Sequence, residues 1–296
     1  MKVGFIGLGI MGRPMALNLI AAGHDLVVLG GRTGSDALAE AGAATADTPR
    51  AVAEAVEVVV TMLPNSPQVE EVVLGEGGVI EGAHDGLILV DASSIAPASA
   101  RAVHDGLAER GVAMLDAPVS GGEPKAVDGT LAFMVGGDAE VFDRVKPLLE
   151  VMGASVTHVG AIGAGNITKL ANQAIVAVNI AVAGEAMMLA ARSGVDPEAV
   201  YTAIRGGLAG STVLDAKVPL MLERRFDPGF RINLHIKDLD NVLDAGHDVA
   251  APLPLTAAVR EMLSTLAGAG HAGEDHAALV RWYETLTGTE VGSVGP

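Results

Sequence analysis

The sequence contains no cysteine. That excludes disulfides, thiolate metal sites and a thiol nucleophile. It also weighs against a secreted chain, in which disulfides are common. Aromatics are scarce, with five Phe, two Tyr and one Trp. Such a chain offers few stacking platforms for single-stranded nucleic acid. Basic residues are outnumbered, 19 Lys and Arg against 36 Asp and Glu, giving a formal net charge of −17 at pH 7. This field repels phosphate backbones and anionic lipid, so neither nucleic acid nor a membrane is an expected partner. A small anionic substrate stays allowed, because a local basic pocket overrides the global field at short range.

What remains is apolar and glycine-rich. Half of the 296 residues are hydrophobic and 38 are Gly. Low hydrophobicity, the first condition for disorder, is not met. The length suggests two domains, at about 150 residues each. One apolar segment, Leu170 to Ala191, is long enough to span a bilayer. It carries Asn172, Gln173, Asn179 and Glu185, and Lys169 precedes it. Those groups are costly in lipid, so the segment is expected to be a buried helix between domains or subunits. The opening MKVGFIGLGIMG imitates a signal peptide but is punctuated by Gly and lacks a small-x-small cleavage site. A soluble, cytoplasmic protein is expected.

The first half alternates short β-branched runs with helical patterns. Strands are predicted at Lys2–Ile6, Asp25–Leu29, Glu57–Met62, Leu87–Asp91 and Val112–Leu115, with a helix over Met11–Ala22. The strand runs are continuous rather than alternating, as in a parallel sheet covered on both faces. Repeated strand–helix–strand order then predicts a doubly wound α/β domain. Near Gly160 the pattern changes. A long helix runs to about Arg192, and Asp196 with Pro197 reads as an N-cap and first helical position. Everything beyond reads as helices broken by turns, with a frayed Gly-rich tail after Thr287. The expected domains are 1–162, α/β, and 163–296, all-α.

Five motifs carry chemistry. Gly7-Leu8-Gly9-Ile10-Met11-Gly12 follows a strand and opens a helix, the context a dinucleotide fingerprint requires. Gly7 allows the tight turn, Gly9 lets backbone approach a pyrophosphate, and Gly12 lets the helix pack on the sheet. About 20 residues on, an NAD enzyme usually presents Asp or Glu to the ribose. Here the chain reads Leu29-Gly30-Gly31-Arg32-Thr33, with no acid before Asp36. Arg32 and Thr33 suit a 2′-phosphate, so NADP is the preferred cofactor, with NAD as the alternative. Ser120, Gly121 and Gly122, after the strand Val112–Leu115, offer a hydroxyl and two N–H groups to a carboxylate. Taken alone, that segment is a plain Ser-Gly-Gly turn. Lys169, Asn172 and Gln173 share a face of the long helix. A lysine beside a carbonyl can protonate a developing alkoxide, although a structural lysine is the simpler account of this motif in isolation. Lys237, in His235-Ile236-Lys237-Asp238, is by spacing an ordinary helix charge or a group reaching for the cofactor. The eight His show no metal-ligand spacing, and GxSxG and P-loop motifs are absent.

Together these segments resemble the β-hydroxyacid dehydrogenase family, which includes 3-hydroxyisobutyrate and 6-phosphogluconate dehydrogenases. The likeness runs through GFIGLGIMGRPMALNL, TMLPNSPQVEEVVLG, DASSIAP, LDAPVSGGEPKAVDGTLAFMVGG, GAGNITKLANQAIVAVNIA, IRGGLAGSTVLDAK and PGFRINLHIKDL, over nearly the whole chain. The resemblance implies a Rossmann domain followed by an all-α domain. It implies that Lys169, after Gly163 and Gly165, is the acid/base. It assigns the Asp116–Gly122 segment to a substrate carboxylate, Leu63 and Pro64 to the cofactor, Ser94 to the nicotinamide ribose side and Lys237 to cofactor or substrate. Asn172 matches the first Asn of the family's Lys-x-x-Asn-Asn pattern, and Gln173 replaces the second. Gly30-Gly31-Arg32-Thr33 departs from an Asn-Arg-Thr type of loop and is one residue longer, which bears on NAD against NADP. Imine reductases look similar but usually carry another residue where this chain has Lys169. The implied activity is hydride transfer between NAD(P) and a small 2-hydroxy-3-oxo or 3-hydroxy acid. The apolar, Ala-rich helix 170–191 and the helical second domain suggest a homodimer or homotetramer. The reading from another class is a non-catalytic NADP-binding sensor, which has no need of Lys169 together with Ser120 and Gly122.

Overall fold

The computed structural model describes residues 1–31 and 34–292. The chain divides into two compact units, Met1–Lys169 and Leu170–Pro296, and the division falls inside the long helix.

The first unit is built on one sheet. Its elements are β1 (Lys2–Ile6), α1 (Gly12–Ala21), β2 (Asp25–Leu29), α2 (Ser35–Glu40), β3 (Ala44–Ala46), α3 (Pro49–Glu54), β4 (Val58–Thr61) and α4 (Ser66–Leu74). There follow β5 (Ile88–Asp91), α5 (Pro97–Ala108), β6 (Ala113–Asp116), β7 (Val119–Ser120), α6 (Gly122–Val127), β8 (Leu131–Gly137), α7 (Ala139–Met152) and β9 (Gly153–Gly160). Strands β3-β2-β1-β4-β5-β6 lie side by side and parallel. β8 then runs antiparallel to β6, and β7 (antiparallel) and β9 (parallel) pair with β8. The all-apolar strands serve two cores at once. Val58 and Val60 pack on one face with Phe5, Met15 and Leu19, while Val59 packs on the other with Val52, Val69 and Val103. This two-sided burial is why these strands read as unbroken apolar runs.

A helix, α8 (Ala164–Arg192), leads into the second unit, followed by α9 (Pro197–Ile204), α10 (Thr212–Leu222), α11 (Ile232–Asp248), α12 (Pro254–Leu266) and α13 (Val280–Thr287). Asp196 caps α9 by accepting from the Glu198 N–H, with Pro197 in the first turn. By length and composition α8 could cross a membrane. In the fold, its residues Leu170, Ala177, Ile180, Ala181, Ala183, Met187 and Met188 are part of a helical core with Val218, Met221, Ile232, Leu239 and Val280. The tail is not frayed just after α13. Val291 is fully buried, and its N–H donates to Glu284 Oε1 at 2.9 Å.

Candidate active site

In the first unit the predicted residues gather at the carboxyl ends of the parallel strands, where ligands bind in open α/β sheets. The turn after β1 is Gly7–Gly12. Gly7 has φ +103°, and a Cβ there would overlap the Met62 carbonyl at the end of β4. A Cβ on Gly12 would overlap the Gly7 carbonyl oxygen. Both glycines are therefore demanded by the fold itself. Gly9 differs, since a Cβ there meets no described atom within 4 Å. That open space over the start of α1 fits a dinucleotide whose phosphates approach the backbone. Arg32 and Thr33 lie outside the described residues. Just past them, Gly34 at φ +89° abuts the Leu8 carbonyl at 2.9 Å from its would-be Cβ, which brings the loop after β2 against the glycine turn.

The loops after β4 and β5 are tied together. Leu63 N–H donates to Ser93 Oγ at 2.8 Å, and Ala96 N–H donates to Ser66 Oγ at 3.1 Å. Leu63 and Ser94 are half-buried, and Pro64 is exposed. Beneath them Asp91, fully buried, accepts at Oδ1 from Thr61 Oγ1 at 2.8 Å and from the Ser93 N–H at 3.1 Å. Its Oδ2 has no hydrogen-bond partner among the described residues. Burial pushes the Asp91 carboxyl up to about 6. Hydrogen bonds from Ser93 and Thr61 oppose that rise, and the charge of Asp116 adds to it. Asp91 and Asp116 are register partners on adjacent parallel strands, so their side chains project from the same face.

Asp116 was expected to open a carboxylate-binding segment. Its own carboxylate is occupied elsewhere. Oδ1 accepts the Gly163 N–H at 2.8 Å and Oδ2 the Asn166 N–H at 2.7 Å, so it holds the start of α8. Burial raises its pKa against these N–H bonds, which favour the charged form. Residues 116–119 are buried, so within the segment Ser120, Gly121 and Gly122 are the ones that keep exposed surface. Ser120 ends β7 and is half-buried. Gly121 and Gly122 follow at φ +140° and +69°, a turn that residues with a Cβ enter only under strain. Lys169 lies one turn into α8 and is 7% exposed.

The second unit holds its own polar chain. Asn172 Nδ2 donates to Gln173 Oε1 at 2.9 Å, and Gln173 Nε2 donates to Asp238 Oδ2 at 2.6 Å. Asp238 Oδ1 pairs with Lys237 Nζ at 2.8 Å. Gln173 and Asp238 are buried, so the chain fixes Asn172 on α8 and Lys237 on α11 relative to each other. From sequence, Gln173 is expected on the Lys169 face of the helix and as a replacement for the second Asn of the family pattern, while Asp238 carries no role. A second missed pair lies beside it. The Nδ1 atoms of His235 and His276 face each other at 2.9 Å, 41 residues apart in sequence. In the first unit a surface hollow of about 420 Å³ lined by Met1, Glu57, His84 and Arg144 sits at the amino ends of β4 and β5, the opposite end of the strands from the glycine turn.

Residues 2–160 match the family model described as the NAD binding domain of 6-phosphogluconate dehydrogenase. Residues 163–283 match that described as the NAD-binding domain of NADP-dependent 3-hydroxyisobutyrate dehydrogenase. The chain is 46% identical over 286 residues to 2-hydroxy-3-oxopropionate reductase of Escherichia coli strain K12, covering 97% of this chain and 98% of that one. It is 37% identical over 298 residues to 3-hydroxyisobutyrate dehydrogenase of Pseudomonas aeruginosa, with 95% and 98% covered. The solved structure of Mycobacterium tuberculosis 3-hydroxyisobutyrate dehydrogenase with L-serine superimposes with a TM-score of 0.88 at 33% identity, over 97% of this chain and 99% of that one. A glycine turn shaped for a dinucleotide, strand-end loops laced together and a buried lysine on the following helix thus occur in a sequence matched end to end by such enzymes: the chain belongs to the β-hydroxyacid dehydrogenase family of NAD(P)-dependent oxidoreductases.

Proposed function

We propose that this enzyme reduces 2-hydroxy-3-oxopropanoate to D-glycerate, with Lys169 as the general acid. The observation that carries the reaction chemistry is a lysine buried to 7% exposure, one turn into a helix anchored at the strand ends. The substrate is suggested by the 46% identity to a relative named for that reduction. When bound, reduced nicotinamide supplies a hydride to the aldehyde carbon. Lys169 gives its proton to the aldehyde oxygen as charge develops there, leaving a primary alcohol. Ser120 and the N–H groups of Gly121 and Gly122 hold the substrate carboxylate and so orient the carbonyl. Asn172, braced by Gln173, helps position Lys169 or a substrate hydroxyl. Gly7 to Gly12, Leu63, Pro64, Ser94 and Lys237 serve the cofactor, and Arg32 with Thr33 favours NADP over NAD. The enzyme is cytoplasmic in this reading and self-associates.

A second reading is supported by the 3-hydroxyisobutyrate dehydrogenases among its relatives, namely oxidation of that or another short 3-hydroxy acid. A substrate panel separates the two. NADPH and NADH oxidation with 2-hydroxy-3-oxopropanoate is compared with NADP and NAD reduction by 3-hydroxyisobutyrate and L-serine. The first reading expects kcat/KM for 2-hydroxy-3-oxopropanoate to exceed every other by at least about tenfold, the equivalent of ~1.4 kcal/mol of transition-state discrimination. A higher value for 3-hydroxyisobutyrate replaces it with the second.

A further inference from the structure

Nothing in the assigned chemistry explains why the start of α8 is bound so tightly to the sheet. Asp116, at the end of β6, is fully buried and accepts from the backbone N–H groups of Gly163 and Asn166. It also accepts from the Asn166 side-chain amide at 3.3 Å. Asn166, 1% exposed, turns its other side-chain atom to the loop after β5, where Oδ1 accepts the Ile95 N–H at 3.1 Å. That loop carries Ser94. One carboxylate and one amide therefore join three elements: β6, the loop after β5 and the first turn of α8.

Close approach reinforces the join. A Cβ on Gly165 would overlap the carbonyl oxygens of Asp116 and Met134. A Cβ on Gly136, in β8, would overlap the Asp116 carboxylate and lie 2.7 Å from the Ala161 carbonyl oxygen. The helix start is thus wedged onto backbone that cannot give way. Lys169 follows Asn166 by three residues, so it rides on the same end of the helix, about 4.5 Å further along the axis. A 29-residue helix acts as a lever, and whatever fixes its first turn fixes the Lys169 ammonium.

We propose that Asp116 and Asn166 are positioning residues for the reaction. Through the first turn of α8 they set the location of the Lys169 Nζ relative to the strand-end loops that receive the substrate carbonyl. The inference rests on the reading of Lys169 as proton donor. Neither residue touches the substrate, and each acts through Lys169.

The test is a double-mutant cycle on the full-length enzyme with saturating NADPH and 2-hydroxy-3-oxopropanoate. Asn166→Ala removes the Ile95 bond, and Asp116→Asn replaces one acceptor with a donor facing N–H groups. Each should lower kcat by about 10- to 100-fold, the effect of a misplacement near 1 Å. The NADPH dissociation constant should stay within about twofold, since the glycine turn is untouched. In the Lys169→Ala background the same substitutions should change kcat by less than about twofold. An equal loss in both backgrounds, or wild-type kcat in both single variants, overturns the proposal. Where the Lys169→Ala rate is too low to measure, the solvent deuterium isotope effect on kcat decides. It should rise in Asn166→Ala as proton transfer becomes limiting, and a lowered kcat with an unchanged isotope effect is contradictory. Should Asn166→Ala not fold, Asn166→Ser is the milder substitute and Asp116→Asn an independent variant. A Lys169→Ala enzyme that keeps wild-type kcat rejects the proton-donor reading itself, which is a different failure.

Discussion

At the scale of single residues, Asp91 has the most exposed consequences in solution. It is fully buried, one oxygen lacks a partner among the described residues, and its pKa is raised from 3.8 to about 6. Burial is the leading cause, so the folded state disfavours the charge. Below pH 3.8 the group is neutral in both states and costs nothing. As pH rises the unfolded chain ionises first, and above about 6 the folded form bears the full penalty of ~3 kcal/mol. This residue's contribution to stability is therefore lost as pH rises from about 4 to 6.5. Asp91→Asn should flatten that slope, because the amide still accepts from Thr61 and Ser93 but does not ionise. Urea midpoints of both proteins across that range check it. A wild-type minus variant difference that stays constant with pH would remove the argument. Asp91 was read from sequence only as the end of an apolar strand. Its bond from Thr61, and that from the Leu63 N–H to Ser93, each join residues 30 positions apart, which local pattern does not reveal.

At the scale of elements, the glycine turn separates what the fold needs from what a ligand needs. Gly12→Ala should destabilise the protein strongly, since its Cβ would overlap the Gly7 carbonyl. Overpacking of this kind costs about 1–3 kcal/mol or more. Gly9→Ala should leave the melting temperature within a degree or two, since its Cβ meets no described atom, while NADPH affinity falls by about tenfold or more. Thermal melts with and without NADPH separate the two variants. Loss of stability in Gly9→Ala without loss of affinity would reverse the assignment. The same motif was legible from sequence because strand, glycines and helix are contiguous. So were β1, β2, β4, β5 and β6, which are buried on both faces and read as apolar runs. β8 and β9 were not. β8 does carry an apolar run, residues 131–135, but it pairs antiparallel with β6 and so stands outside the repeated strand–helix–strand order, while β9 has a mixed polar and apolar sequence with one buried residue. β3 and β7 have three and two residues, too short to leave a pattern.

At the scale of the whole molecule, composition spoke clearly about class and faintly about assembly. The excess of acid over base disfavours polyanionic partners, and the missing cysteines exclude thiol chemistry. The second unit was legible as helices, but its polar wiring was not. Gln173 to Asp238 and His235 to His276 are contacts between residues 65 and 41 positions apart. Self-association has a physical motive on α8, where Ile175, Val182 and Leu189 are 63%, 53% and 69% exposed. Their seven-residue spacing puts them along one face of the helix. The proposed homodimer or homotetramer predicts that replacing all three with Glu lowers the mass measured by light scattering coupled to gel filtration. An unchanged mass would show that this face carries no self-association.

In the proposed reaction Lys169 supplies the proton while other residues hold the cofactor. Its most direct test is Lys169→Ala, assayed for NADPH oxidation with 2-hydroxy-3-oxopropanoate and titrated with NADPH by fluorescence. The kcat should fall by about 10²- to 10⁴-fold with the NADPH dissociation constant nearly unchanged. Turnover retained while NADPH binding is lost would contradict it.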